Sequence, residues 1–144
     1  MKKVVCSGAL FYTIDTNRFL FLHRAQSKKF DQWGLVGGKN EDKETPWEGL
    51  CREIEEEIGF LPAIKKTIPL ETFVSNDDHF KFHTYLCLIE NEFIPKLNDE
   101  HNGYCWVSFN KWPRPLHQGL ANTLKSKTNI QKLETVFKVI NLLE

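Results

Sequence analysis

Three carboxylates, Glu53, Glu56 and Glu57, recur at intervals of three and four residues in the stretch Gly37 to Phe60. On a helix these positions are neighbours, so all three occupy one flank. Like charges placed that way repel by about 0.2–0.5 kcal/mol per pair. No lysine sits four residues away, and Arg52 is the only cation within the helical segment. Something outside the helix must neutralise the flank. A divalent metal ion is the candidate, because clustered carboxylates supply the hard oxygen ligands such an ion takes.

The same stretch carries the signals that would build and place this helix. Thr45 can cap the free amides, Pro46 suits the first helical position, and Glu48 completes a capping box. Gly59 is the stop, the residue type that most readily takes a left-handed conformation after a last turn. At about 100° per residue, Trp47, Leu50, Cys51, Ile54 and Ile58 fall on one apolar face. Gly49, in mid-helix, costs about 1 kcal/mol against alanine and implies close packing there. Upstream, Gly37-Gly38 reads as a glycine loop fed by a short strand from Trp33 to Val36. Chemistry is therefore expected where the glycine loop meets the helix flank.

Composition narrows the function classes. The chain of 144 residues suits a single domain spanning 1–144 with a sizeable core. Its 19 basic and 19 acidic residues cancel, so no global field favours bulk nucleic acid or a membrane surface. A nucleotide-sized ligand is not excluded by that balance. Cys6, Cys51, Cys87 and Cys105 are scattered, with no Cys-x-x-Cys pair, and read as buried reduced thiols. The N-terminus turns polar too early for a signal peptide, and no run approaches transmembrane length. A cytoplasmic setting is expected.

In chain order, Val4 to Ile14 and Phe19 to His23 predict a hairpin across the turn cluster Asp15-Thr16-Asn17. Gln26 to Gln32 should be a loop. Pro62 to Ser75 is extended but holds Pro69, which predicts an edge strand or a bulge. After the turn Asn76-Asp77-Asp78, Phe80 to Ile89 alternates as a long strand. Asn98 to Gly103 reads as a polar loop and Tyr104 to Phe109 as a strand. Pro113 and Pro115 block helix until about Leu116, after which Leu116, Leu120 and Leu124 keep helical spacing. A last helix runs through Leu133, Val136, Phe137, Ile140 and Leu143. The order predicts an α/β fold, a mixed sheet with helices packed against it.

From Gly38 to Phe60 the chain matches G-x5-E-x7-R-E-U-x-E-E-x-G-U at every specified position, U being a bulky aliphatic or aromatic residue. Gly38 is followed by Glu44, Arg52, Glu53, Ile54, Glu56, Glu57, Gly59 and Phe60. From average residue usage, a full match by chance should be rarer than roughly one in a million. The stretch resembles the box of the Nudix family, and the order of elements is similar to that family's domain over nearly the whole chain. The resemblance implies an α/β/α sandwich around a mixed sheet. It also implies hydrolysis of a pyrophosphate bond in nucleoside diphosphates linked to another group, with Mg²⁺ or Mn²⁺.

That chemistry agrees with the residues. Pyrophosphate is densely charged and resists water, and a bound Mg²⁺ both neutralises charge and activates water. The resemblance assigns metal binding to Glu53, Glu56 and Glu57, with a backbone carbonyl of Gly37 or Gly38 as a further ligand. It makes Glu53 the first choice of general base, with Glu56 or Glu57 next. Arg52 is expected to orient these carboxylates and to pair with Glu44, bracing loop to helix. Outside the box, Arg24 and Lys39 are candidates for phosphate contact. Glu100 precedes the strand region from which many Nudix enzymes supply another ligand or base, and Asp99 competes with it. His83 and His101 could contact substrate, but isolated histidines more often read as structural or exposed. Phe73, Phe80, Phe82 and Tyr85 offer faces for base stacking, although alternation should send at least half of them into the core.

A nucleoside triphosphate or related nucleoside diphosphate derivative is the expected substrate. Alternatives are a GDP-mannose-like nucleotide sugar, since Leu97 to Trp106 is similar to the matching region of such hydrolases, or ADP-ribose. A catalytically silent, nucleotide-sensing domain is the rival from another class; a homodimer is compatible with the resemblance.

Overall fold

The computed structural model describes residues 3–25 and 31–143. Of the loop expected at 26–32, only Asp31 and Gln32 are among them. Seven strands form one mixed sheet, ordered β3-β2-β1-β6-β5, with β4 paired to β1 and β7 to β2. They are β1 (Val4–Thr13), β2 (Arg18–Arg24), β3 (Trp33–Gly34), β4 (Val36–Lys39), β5 (Lys66–Val74), β6 (Phe80–Ile89) and β7 (His101–Ser108). The helices are α1 (Pro46–Ile58), α2 (Gln118–Lys125) and α3 (Lys127–Leu143). The β1–β6 pair is parallel, whereas β1 pairs antiparallel with β2 and β4.

β1 is apolar on both sides because both sides are covered. Leu10 and Tyr12 join a core that includes Phe19, Phe21, Leu86, Leu120, Leu124 and Leu133. Ala9 and Phe11 join a second core with Leu20, Leu22, Leu50, Ile54 and Ile58. Successive strand residues point to opposite faces, so one strand serves two cores. α1 thus covers one face and α2 with α3 the other, the sandwich expected. No helix among the described residues is long and apolar enough to cross a membrane.

α1 forms as its sequence signals require. Thr45 Oγ1 accepts from the Glu48 amide at 3.1 Å, and Glu48 Oε1 accepts from the Thr45 amide at 2.9 Å. Gly59 closes the helix at φ 90°, and its amide donates to the Glu55 carbonyl. Leu50, Ile54 and Ile58 are fully buried, each contributing about 1.5–3 kcal/mol by leaving water.

Several boundaries differ from expectation, two of them beside the candidate site, while β5 begins at Lys66 rather than Pro62 and α2 at Gln118 rather than Leu116. The expected glycine loop is part of β4: Gly37 and Gly38 pair with Gly8 and Ser7 of β1, so the sheet runs through them. β7 begins at His101, three residues before the expected Tyr104, because β2 supplies partners that offset the turn-like composition of His101-Asn102-Gly103. Leu116 bridges to Trp33 ahead of α2. Elsewhere the hairpin turns through residues 14–17. β5 lies at the sheet edge with a register shift between Pro69 and Glu71, as the proline predicts.

Candidate active site

The site grows from the start of α1. Glu44 lies one residue before the Thr45 cap, and Arg52 lies two turns into the helix, facing it. Arg52 Nε donates to Glu44 Oε2 at 2.7 Å and Nη2 to Glu44 Oε1 at 3.1 Å. Nη1 donates to Glu53 Oε1 at 3.0 Å and Glu56 Oε1 at 3.1 Å, and Nη2 to the Lys39 carbonyl at 3.0 Å. The planar guanidinium therefore ties the end of β4, the loop and the helix flank together. Its hydrogen bonds to Glu44, with the Glu41 amide, hold the Glu44 carboxyl below the usual range. The expected Arg52–Glu44 brace is present.

The three box carboxylates differ sharply in surroundings. Glu56 is exposed and leans on Arg52. Glu53 is largely sheltered beside Gly38, and burial raises its carboxyl pKa, partly offset by Arg52. Glu57 is only 4 % exposed and accepts from the Gly37 amide at 2.8 Å. Burial, with the charges of Glu53 and Glu100 close by, pushes its carboxyl up to about 9. Across the sheet edge, Glu57, Glu100 and His101 form a group whose donor atoms all lie within 4.8 Å of one another. One buried and one exposed carboxylate beside an imidazole nitrogen fit a divalent cation, whose charge would let both carboxylates ionise.

His101 enters this group through a bulge. Between His23, opposite Gly103, and Arg24, opposite His101, the β2–β7 register shifts and leaves Asn102 as an extra residue. Bulges re-aim side chains in this way near active sites. His101 is 9 % exposed, and burial lowers the pKa of its imidazole. Taken singly in the sequence it reads as structural or exposed; its adjacency to Glu100 at a strand start was the signal available.

The remaining candidates are spread around this centre. Arg24 is exposed at the end of β2, opposite His101. Lys39 is exposed at the end of β4, its carbonyl held by Arg52. Asp99 is exposed in the turn before β7. His83 reaches Thr72 at 3.1 Å rather than the carboxylate cluster. Of the four aromatics, Tyr85 packs on Trp47 in the second core. Phe80 and Phe82 are half-buried and Phe73 is 51 % exposed, so fewer reach the core than alternation alone predicts. β5 at the sheet edge leaves their side open.

A family model described as the NUDIX domain matches residues 5–126. The chain belongs to the Nudix family. It is a Nudix hydrolase, a nucleotide pyrophosphohydrolase by class. It is 38 % identical over 117 aligned residues to the dihydroneopterin triphosphate diphosphatase of Haemophilus influenzae, covering 71 % of this chain and 72 % of that one. Among solved structures, this Nudix domain is similar in fold to the M. smegmatis Nudix hydrolase RenU. The TM-score is 0.72 at 22 % identity, covering 97 % and 89 % of the two chains. It is also similar to a C. elegans Ap4A hydrolase, with TM-score 0.70 at 17 % identity over 92 % and 98 %.

Proposed function

We propose that this Nudix hydrolase cleaves the triphosphate of a nucleoside triphosphate-like molecule to release pyrophosphate, and that dihydroneopterin triphosphate is the first substrate to test. The buried Glu57 carboxyl, held by the Gly37 amide beside Glu53 and Glu100, carries the reading, because an acidic group buried among further carboxylates has little use in a pure binder. The 38 % identical diphosphatase supports the substrate class.

Glu53, Glu56 and Glu57, with the Gly38 carbonyl, hold Mg²⁺ or Mn²⁺ in this reading. Such an ion supplies charge neutralisation at the phosphates and acidifies water. Glu53, sheltered but bonded by only one Arg52 nitrogen, accepts the proton of the attacking water. Arg52 and Glu44 keep Glu53 and Glu56 aimed, and Glu57 stays pinned by the β4 amide. Lys39 and Arg24, exposed at the ends of β4 and β2, bind the phosphates, with Glu100 next to the Arg24 end, where its carbonyl accepts from the Ala25 amide. Phe73, Phe80 and Phe82, with successive ring centroids 6.2 and 6.4 Å apart, offer a face for the heterocycle. The free thiols of Cys6, Cys51, Cys87 and Cys105 support a reducing, cytoplasmic compartment.

The test is product release with Mg²⁺ from dihydroneopterin triphosphate, the common nucleoside triphosphates, ADP-ribose, a dinucleoside polyphosphate and GDP-mannose. Pyrophosphate from the first, abolished by chelation and by Glu57→Gln, is the expected result. Turnover of a sugar nucleotide alone would replace the substrate assignment, and no turnover of any would replace the enzyme with a nucleotide sensor.

A further inference from the structure

We propose that His101 is a nitrogen ligand of the metal site and sets its selectivity, so that a first-row transition ion such as Mn²⁺ is held in preference to Mg²⁺. The inference rests on the reading of Glu57 as a metal-holding residue and adds a donor outside the box.

Three observations converge on His101. Its side chain is 9 % exposed and its Nδ1 is buried without a hydrogen-bond partner. Buried ring nitrogens are ordinarily satisfied, so one without a partner marks a place for something else. A ring nitrogen of His101 also lies within 4.8 Å of carboxylate oxygens of both Glu57 and Glu100. Six-coordinate ions with bonds of about 2.1 Å need donors about 3 to 4.2 Å apart, so only a small contraction separates this group from a ligand set. Finally, the backbone that carries the imidazole is held by strand pairing rather than lying in a loose loop. The His101 amide donates to the Asn98 carbonyl at 3.3 Å, and the residue pairs with Arg24 at the bulge.

The donor chemistry decides the preference. Mg²⁺ favours oxygen and gives up water reluctantly, whereas imidazole raises affinity for first-row transition ions. Two carboxylates and one imidazole make a mixed oxygen and nitrogen set. Glu53 and Glu56, the other carboxylates of the proposed site, add oxygen donors only, so its nitrogen character rests on His101.

The experiment uses the full chain, stripped of metal and reloaded with Mn²⁺. Pulsed electron paramagnetic resonance should detect ¹⁴N coupling to the bound ion in the unmutated protein and lose it in His101→Gln. Titration should show Mn²⁺ affinity falling at least tenfold in His101→Gln while Mg²⁺ affinity changes less than threefold. If His101→Gln fails to fold, the ¹⁴N signal of the unmutated protein decides alone. Bound Mn²⁺ without nitrogen coupling, or equal weakening of both ions, would overturn the role of His101 while leaving the carboxylate site standing. Absence of Mn²⁺ binding, or binding unchanged by Glu57→Gln, would overturn the carboxylate reading and this inference with it.

Discussion

The Glu53 carboxylate occupies the space that a side chain on Gly38 would need: a Cβ there would fall 2.6 Å from both Cδ and Oε2 of Glu53. The glycine of the box is thus an opening in the sheet through which a helix carboxylate reaches β4. Gly38→Ala should push aside the flexible end of Glu53 and leave the fold nearly intact. Activity should fall about 10²-fold, the scale of a misplacement of about 1 Å, with little change in melting temperature. Gly37→Ala should behave differently, since its Cβ would fall 2.1 Å from the Ser7 carbonyl oxygen, a backbone atom that cannot step aside. Kinetics and thermal melts of the two variants separate a site defect from a folding defect.

Glu57 gives the metal-free protein a defined pH dependence. Burial pushes its carboxyl from 4.5 up to about 9 in the folded state, so between those values the native protein holds a proton that the unfolded chain releases. Stability contributed by this group is therefore lost as pH rises through that window. Glu57→Gln cannot ionise, and in chelator it should be more stable relative to the parent at pH 8 than at pH 5. Metal should reverse the trend, stabilising the parent more at pH 8, because the proton must leave before the carboxylate binds. A melting-temperature difference independent of pH would contradict this account.

How much was legible follows from how local each signal is. The limits of α1 could be read because Thr45, Pro46, Glu48 and Gly59 act within one turn of the helix end they define. The Arg52–Glu44 brace and the glutamate flank lie within the same stretch, so this part of the candidate site's geometry was legible too. The start of β7 was not, because His101-Asn102-Gly103 has turn composition and becomes strand only when β2 pairs with it. The approach of His101 to Glu57 depends on that pairing and on its bulge, which no local pattern reports. Gly37 and Gly38 likewise read as loop until β1 is placed beside them. The unequal exposure of Glu56 and Glu57 required the position of β4, which shelters one and not the other.

Arg52 tests whether geometry or charge holds the flank. It donates to Glu44, Glu53, Glu56 and the Lys39 carbonyl from three nitrogens at 2.7 to 3.1 Å. A lysine keeps the charge but cannot span these acceptors with a rigid fork. Arg52→Lys should lower kcat by about 10²-fold through misaligned Glu53 and cost about 1–3 kcal/mol of stability. Glu41→Gln is the control, since Glu41 is exposed and 3.7 Å from Arg52, and should change stability by less than about 1 kcal/mol. Equal behaviour of Arg52→Lys and the parent in kinetics and urea unfolding would refute the positioning role.

Gly49→Ala sets helix propensity against packing. In an open helix the change gains about 1 kcal/mol. Here the added Cβ would fall 2.2 Å from Asn40 Oδ1 and 3.1 Å from Glu44 Oε1. Asn40 cannot simply swing away, because its Nδ2 donates to the Glu44 carbonyl at 3.2 Å. Overpacking of this kind costs about 1–3 kcal/mol, so the expected sign is destabilising. Displacement of Glu44 should also loosen Arg52 and lower activity. Asn40→Ala removes the obstructing oxygen, and in that background Gly49→Ala should become neutral or stabilising. A double-mutant cycle in urea unfolding measures the coupling, and additive effects would show that the two residues do not collide.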